Sequence, residues 1–152
     1  MQEFVLLDSG PLGLSCRQHG NPIADRCRQW FRGLIARGVI VVVPEIADYE
    51  LRRELPRIGA SGALHRLDEL VTIGGLFHAT VTTAEWRHAA LLWADARQKG
   101  VPTADPHALD ADVIPAACAA TIGQPGDQVI VAIDNVRHLA RYCDARPWAT
   151  IS

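Results

Sequence analysis

The chain has 152 residues, 49% of them hydrophobic and 21% charged, which is enough to bury a substantial core in an ordinary globular protein. Its net charge of −2, with an isoelectric point near 6.3, gives no overall attraction to nucleic acid, so nucleic-acid binding needs a local basic patch. The four cysteines form no C-x-x-C pair, and the sequence shows neither the pattern of a secretory signal nor an apolar stretch of transmembrane length, so we expect a soluble, cytoplasmic protein with no membrane partner.

Strand and helix signals alternate along the chain. A continuous apolar run predicts a buried strand over residues 4–7, and β-branched residues predict a central parallel strand over 39–43. Between them, Asn21 and Pro22 are typical of a helix start, and Gly38 ends that helix. The other predicted elements are helices over 44–58, 63–71 and 83–99, a strand over 77–81, a helix from residue 111 or 112, a strand over 128–132, a short helix over 136–142 and an edge strand over 148–151.

This alternation predicts an α/β fold, a three-layer α/β/α sandwich with a mostly parallel central sheet. No linker or internal repeat divides the chain, so we expect a single domain over residues 1–152. In such a sheet the carboxyl ends of the strands line one crevice. Acidic residues at the strand ends are therefore the candidates for function.

Asp8 ends the first predicted strand and is followed by Ser9 and Gly10. A turn aspartate that bonds to its own local backbone is one interpretation. The other places a carboxylate at the end of a central strand, where it points into the crevice and the Ser9 hydroxyl supports it. We favour the second interpretation.

Glu50 lies in the next helix, on a face where glutamate is unusual. A helical wheel gives an apolar arc formed by Ile46, Ala47, Leu51, Leu55 and Ile58. Two acids fall inside that arc, Glu50 and Glu54, whereas the residues outside it include Asp48, Tyr49 and Arg52. Pairing of Glu50 with Arg53, or of Glu54 with Arg57, is the structural alternative. Because a buried glutamate is costly unless it is paired or coordinated, we predict a functional role for Glu50.

Asp110 and Asp112 precede an apolar helical segment that contains Pro115. Proline is tolerated in the first helical turn, so Pro115 favours a helix start at Ala111 or Asp112 and an aspartate as the helix cap. Capping does not exclude ligation, because an acid at the mouth of a buried helix also faces the crevice. Asp112 is the stronger candidate, and Asp110 is a possible neighbour or ligand.

Asp134 and Asn135 follow the last predicted strand, with Arg137 shortly after them. Either residue suits a strand-to-helix turn, and either also suits a site at the carboxyl edge of the sheet. Carboxylates gathered at that edge repel one another and are costly to desolvate. A hard divalent cation relieves both problems, and oxygen ligands suit Mg²⁺ or Mn²⁺.

The order of these segments resembles that of the PIN domain, most closely the VapC-type toxin ribonucleases of prokaryotic toxin–antitoxin pairs. The resemblance covers essentially the whole chain and rests on four segments in sequence: Leu7 to Gly10, Pro44 to Arg53, Asp112 to Ala119 and Asp134 to Leu139. Two positions depart from the family pattern. Ile133 stands where Ser or Thr is common, and Pro115 stands where a helical aliphatic residue is usual.

The resemblance implies an endoribonuclease that depends on Mg²⁺ or Mn²⁺, with the three family acids at Asp8, Glu50 and Asp112. The fourth family position falls on Asn135, with Asp134 beside it. The resemblance also implies a homodimer and a protein antitoxin that covers the active site.

RNA would be held by arginines near the crevice mouth, for which the candidates are Arg52, Arg53, Arg137 and Arg141. The alternative function is a catalytically degenerate PIN-like module that binds RNA or protein. Ile133 and Asn135 favour that alternative slightly, because the first removes a hydroxyl from the site and the second removes a charge.

Overall fold

The computed structural model describes residues 1–100, 106–135 and 139–152, and for residues 106–109 it describes the backbone alone. The strands are β1 (Glu3–Leu7), β2 (Ile40–Pro44), β3 (Leu76–Ala79), β4 (Gln128–Ile133) and β5 (Ala145–Pro147). The helices are α1 (Ser9–Ser15), α2 (Pro22–Ala36), α3 (Glu45–Arg57), α4 (Ser61–Leu70), α5 (Thr83–Gln98) and α6 (Pro106–Ile122), and two 3-10 turns cover Leu139–Arg141 and Trp148–Thr150.

The five strands form one sheet in the order β3-β2-β1-β4-β5, and each neighbouring pair is parallel. Successive side chains of β1 point to opposite faces, so Val5 and Leu7 join one apolar cluster and Leu6 joins another. Helices α1, α2 and α4 bury apolar residues in the first cluster, and α5 and α6 do so in the second. The predicted three-layer α/β/α sandwich with a parallel sheet is confirmed.

Local capping explains why the chain turns where it does after β1. The Asn21 side chain accepts a hydrogen bond from the Ala24 amide at 3.1 Å, and Pro22 occupies the first position of α2. Gly38 adopts a φ of +84° after that helix, a conformation that glycine reaches without a steric penalty. The chain then turns at Gly38 after α2 and enters β2 at Ile40, close to the boundaries that the sequence predicts.

The predicted start of α6 is wrong. The helix already includes Pro106, so Asp112 is an interior residue rather than a cap and Pro115 lies well inside the helix. A proline there lacks the N–H that would bond to the carbonyl of Ala111. Burial of Val113, Ala116 and the rest of the apolar segment against α5 and β4 holds the helix together across that missing bond.

Two further elements differ from the prediction. Helix α1 was not expected, because Gly10, Pro11 and Gly13 are poor helix formers. The burial of Leu12 beneath the sheet and the hydrogen bond from the Ser15 hydroxyl to the Pro11 carbonyl support this short helix. The last strand was placed too late: β5 is Ala145–Pro147, and the predicted strand at 148–151 is mostly a 3-10 turn.

In the described ranges, no helix is both long enough and apolar enough to cross a membrane.

Candidate metal centre at the carboxyl ends of the strands

Asp8 connects the central strand to the first helix. Its amide donates to the Ala132 carbonyl at 3.0 Å, and its own carbonyl accepts from the Leu12 amide at 3.2 Å. The backbone of Asp8 is therefore fixed between β4 and α1. Its side chain makes no capping bond to the first turn of α1, although the adjacent Ser9 amide donates to it. The Asp8 carboxyl group therefore lies at the edge of the sheet and does not cap the start of α1.

Burial raises the pKa of the Asp8 carboxyl to about 7. The Ser9 amide lowers this pKa, whereas the negative charges of Glu50, Asp112 and Asp134 raise it further. The structure therefore brings four predicted acids, from α1's cap, α3, α6 and the end of β4, within electrostatic reach of one another. A carboxyl group in this setting keeps its proton unless a cation stabilises the charged form.

Glu50 is half-buried on α3, as the helical wheel predicts. Burial raises its pKa, and the negative charge of Asp112 raises it further. A hydrogen bond from the Ser9 hydroxyl and the positive charge of Arg53 act in the opposite direction. Ser9 thus serves two acids at once, through its amide to Asp8 and through its hydroxyl to Glu50.

The wheel was wrong for two other residues of the same region. Asp48, expected outside the apolar arc, is buried, and Ile58, expected inside it, is exposed. The reason for the first is that α4 covers this side of α3 and supplies Asp68 to the same arginine that pairs with Asp48. The second follows because α3 ends at Arg57, so Ile58 no longer follows the helical repeat.

Asp134 lies against α1, beside Gly10. Its carboxyl oxygen Oδ2 would lie 2.5 Å from a Cβ atom at position 10, so any residue larger than glycine there would displace the Asp134 side chain. Burial of the carboxyl group raises its pKa, whereas a hydrogen bond from the Trp148 side chain and the charge of Arg17 lower it. Asn135 is exposed one residue later. Of the two candidates for the fourth position, Asp134 is the one that influences Asp8.

The two aspartates of α6 face different surroundings. Asp112 is half-buried, and its charge raises the pKa of both Asp8 and Glu50. Asp110 is exposed and lines a separate groove with Trp86 and Trp93 of α5. The structure therefore brings Asp112 into the acid cluster and does not bring Asp110 there.

The candidate RNA-contacting arginines are also separated. Arg52 bridges two acids, since its Nε donates to Asp48 at 2.8 Å and its Nη1 donates to Asp68 at 2.7 Å. Arg53 lines the crevice, with its guanidinium carbon 5.5 Å from the centre of the Tyr49 ring. Of the two, only Arg53 stands beside the acids. RNA contact stays a prediction for both residues.

Arg137 lies outside the described residues, and Arg141 is exposed on the 3-10 turn after them.

Glu50 of the acid cluster opens onto a crevice of about 510 Å³, and the crevice wall also includes Ser9, Gly10, Arg53 and Ala111. Within the described ranges, no three His, Cys, Asp or Glu side chains are already closed around a point where a metal ion would sit. Carboxylates that repel one another are expected to stand apart until a cation draws them together. The donor set itself, carboxylate oxygens with one buried carboxyl of raised pKa, fits a hard divalent cation.

Comparison with protein-family models and with curated protein sequences finds no match. Solved structures do match over almost their whole length. VapBC2 from Rickettsia felis, bound to a DNA fragment from its promoter, aligns with a TM-score of 0.68 at 13% identity, covering 95% of this chain and 98% of that one. DNA-bound VapBC from Salmonella typhimurium aligns with a TM-score of 0.69 at 19% identity, covering 97% and 99%. FitAcB from Neisseria gonorrhoeae aligns with a TM-score of 0.69 at 18% identity, covering 97% and 99%.

This chain has the PIN-like fold. The α/β/α sandwich with a mostly parallel sheet that the resemblance implies is therefore confirmed, and all five observed strands are parallel. At these identities the likeness concerns the backbone alone. What the PIN-like sheet of this chain does depends on its own side chains.

Two residues that shape the PIN-like crevice were missed from the sequence. Gly10 appeared only as a turn residue, yet the absence of its side chain makes room for Asp134. Trp148 was not connected with the acids at all, although its side chain hydrogen-bonds to Asp134. A glycine directly after an acid at a strand end was the one available signal, whereas nothing in the sequence links residue 148 to residue 134.

Proposed function

We propose that this chain is a metal-dependent endoribonuclease of the VapC type, the toxin of a toxin–antitoxin pair. The observation that carries the proposal is the half-buried Asp8 carboxyl at the carboxyl edge of a PIN-like sheet, whose pKa is raised by burial and by the charges of Glu50, Asp112 and Asp134. A protein that needed this edge only for folding would gain stability from an uncharged residue at position 8. The acid cluster is explained by a cation that it holds.

Asp8, Glu50 and Asp112 would hold Mg²⁺ or Mn²⁺, with Asp134 or Asn135 as the fourth ligand. Such a cation, when bound, lowers the pKa of a coordinated water and neutralises negative charge on a phosphodiester. The chain's own part is to hold the acids in place. Ser9 orients Glu50 through its hydroxyl, and the backbone bonds of Asp8 to β4 and α1 fix the central carboxylate.

Arg53 is the described residue best placed to bind the RNA backbone, because it lines the crevice beside Glu50. A guanidinium group presents paired donors that match the oxygens of a phosphate group. Single-stranded or looped RNA is the natural substrate, since its exposed backbone can enter a crevice at a sheet edge. Arg137, which lies outside the described residues, is proposed as a second contact.

The experiment is cleavage of a mixed RNA pool by the purified protein with Mn²⁺ or Mg²⁺, with EDTA, and with Asp8→Asn. We expect cleavage that depends on the metal and that falls by at least about 100-fold in Asp8→Asn, as for loss of a group that stabilises developing charge. The matched control is Asp95→Asn, which removes a carboxylate that is exposed on α5 and pairs with Lys99. It should cleave like the wild type.

Cleavage that survives Asp8→Asn would place the activity elsewhere and refute the site. An absence of cleavage together with an absence of Mn²⁺ binding would favour the alternative, a degenerate PIN-like module that binds RNA or protein. Mn²⁺ binding without cleavage of the pool would point to a narrow RNA specificity, and individual structured RNAs would then be tested.

We further propose that the chain forms a homodimer and binds a protein antitoxin. The structures with the same backbone include VapBC complexes, which supports a partner of this kind. The described surface also exposes large apolar side chains on β3 and α5, namely Phe77, Trp86 and Leu91. Light scattering of the purified chain, alone and with the product of any gene adjacent to its own, tests both partners.

A further inference from the structure

A second concavity lies between α1, α2 and α4, away from the acid cluster. It has a volume of about 150 Å³, and its wall contains Arg28, Arg32, Arg66, His19 and one acid, Glu69. Like charges brought together in this way repel one another, so their convergence needs an explanation. The proposed nuclease site does not use any of these residues.

Arg28 is held rigidly at the back of this arginine pocket. The residue is buried, and its Nη1 donates to the Ser15 carbonyl at 3.2 Å and to the Arg17 carbonyl at 2.9 Å. Its Nη2 pairs with Asp25, and that bond lowers the pKa of the Asp25 carboxyl. Arg28 thus shapes the wall, while Asp25 already neutralises its charge.

The other two arginines keep most of their donors available. Arg66 is positioned by one bond, from its Nε to the Cys16 carbonyl at 2.6 Å. Its Nη1 and Nη2 groups have no acceptor within the described part of the chain, and the same is true of the whole guanidinium group of Arg32. Glu69 offers the pocket one carboxylate, but this group lies 3.4 Å from His65 of its own helix and is exposed.

We propose that the arginine pocket binds a phosphate group. Arg66 and Arg32 supply guanidinium donors from two different helices, and the pocket has room for one tetrahedral oxyanion but not for a nucleoside. The backbone bond of Arg66 and the buried Arg28 fix the geometry in advance, which reduces the entropy lost on binding. The phosphate group comes either from the backbone of an RNA strand or from free phosphate ion.

The test is calorimetric titration of the whole chain with inorganic phosphate, in EDTA and at constant ionic strength set with chloride. EDTA removes any cation from the acid cluster, where the carboxylates repel phosphate. We expect saturable binding, which Arg32→Gln weakens about ten-fold because one charged hydrogen-bonding group is lost. Arg26→Gln is the matched control, since Arg26 is exposed on the same helix outside the pocket.

A second titration, with a short oligoribonucleotide that lacks terminal phosphates, distinguishes the two sources. If Arg32→Gln weakens oligoribonucleotide binding more than Arg26→Gln does, the pocket takes a phosphate of the RNA backbone. If only the titration with inorganic phosphate responds, the pocket takes free phosphate ion. The proposal is overturned if the wild type shows no saturable phosphate binding, or if Arg26→Gln loses as much as Arg32→Gln. None of these outcomes depends on RNA cleavage.

Discussion

Asp8 shows most directly how stability and function diverge at a single residue. Its carboxyl group is half-buried at the end of the central strand, and its pKa is raised to about 7 because burial disfavours the charged form. Asparagine has nearly the same shape and no charge. The aspartate therefore costs the metal-free protein stability at neutral pH, a cost that the proposed cation would offset.

We expect this cost to appear in the pH dependence of folding. Native Asp8 keeps its proton up to about pH 7, whereas the unfolded residue loses it near 3.8, so the native state binds more protons between those values. The free energy of unfolding therefore falls as pH rises through that window. Relative to Asp8→Asn, the wild type should lose up to about 4 kcal/mol between pH 4 and pH 8.

Urea unfolding of both proteins in EDTA, across that pH range, measures this difference. Asp95→Asn is the control for loss of a carboxylate, since Asp95 is exposed on α5. A difference between Asp8→Asn and the wild type that stays constant with pH would mean that Asp8 is not desolvated in solution.

Gly10 tests whether Asp134 belongs to the site. In Gly10→Ala, the new Cβ would stand 2.5 Å from Asp134 Oδ2, so the exposed Asp134 side chain must turn away. Stability should hold or rise by less than about 1 kcal/mol, because alanine is the better helix former. If Asp134 is a ligand, Mn²⁺ affinity measured by calorimetry should fall about ten-fold.

The matched control for this replacement is Gly62→Ala, at the same helical position in α4, where an added Cβ meets Arg66 at 3.4 Å. An unchanged Mn²⁺ affinity in Gly10→Ala would assign the fourth position to Asn135 instead.

At the scale of elements, α3 carries two neighbouring arginines with different expected roles: Arg52 in stability and Arg53 in RNA binding. Arg52 joins α3 to α4 through Asp48 and Asp68, and Asp48 is buried with its Oδ1 unbonded among the described residues. Arg52→Gln should therefore cost about 1–3 kcal/mol in urea unfolding, because a buried carboxylate loses its partner. Arg53→Gln should leave stability unchanged and, under the proposed function, should weaken binding of RNA by a protein that also carries Asp8→Asn to prevent cleavage. The reverse assignment of effects would move the RNA path to the Arg52 side of α3.

The start of α5 offers a measure of local capping alone. The Thr82 hydroxyl accepts from the Glu85 amide at 3.2 Å, and the Thr82 amide donates to the Glu85 carboxylate at 2.7 Å. Thr82→Ala should cost about 1 kcal/mol in urea unfolding. Thr83→Ala is the control, one residue later and exposed, and should change stability by less than about 0.5 kcal/mol. Equal losses in the two variants would show that the cap contributes nothing beyond helix propensity.

Elements with a strong local signal were predictable. The β-branched run of β2 and the Asn21–Pro22 start of α2 carry their structure in a few adjacent residues. Helix α1 and the start of α6 do not, because Gly10, Pro11 and Pro115 oppose a helix and only packing against the sheet overrides them. The acids followed the same division: Asp8 and Asp134 at strand ends and Glu50 on the apolar side of a helix were predictable, whereas the roles of Gly10 and Trp148 depend on contacts between distant segments.

At the scale of the whole molecule, a cation held by the acid cluster should stabilise the fold. Binding to the native state alone adds about 2.7 kcal/mol at a Mn²⁺ concentration 100 times the dissociation constant. The thermal unfolding midpoint of the wild type should therefore rise with Mn²⁺ at about pH 8, and rise less at about pH 5, where the proton on Asp8 competes. Asp8→Asn should not respond, whereas Asp95→Asn should. An equal rise in Asp8→Asn would locate the cation elsewhere.

The acids come from far apart in the chain, and this has a consequence for when they meet. A ribosome releases Asp8 and Glu50 early, but β4, which pairs beside β1 and bonds to the Asp8 amide, is made only near residue 133. Until β4 pairs with β1, no strand covers that side of Asp8, and Asp134 has not yet been synthesised. A growing chain therefore carries scattered, solvated carboxylates, and the acid cluster becomes complete only after β4 has been made and has paired with β1.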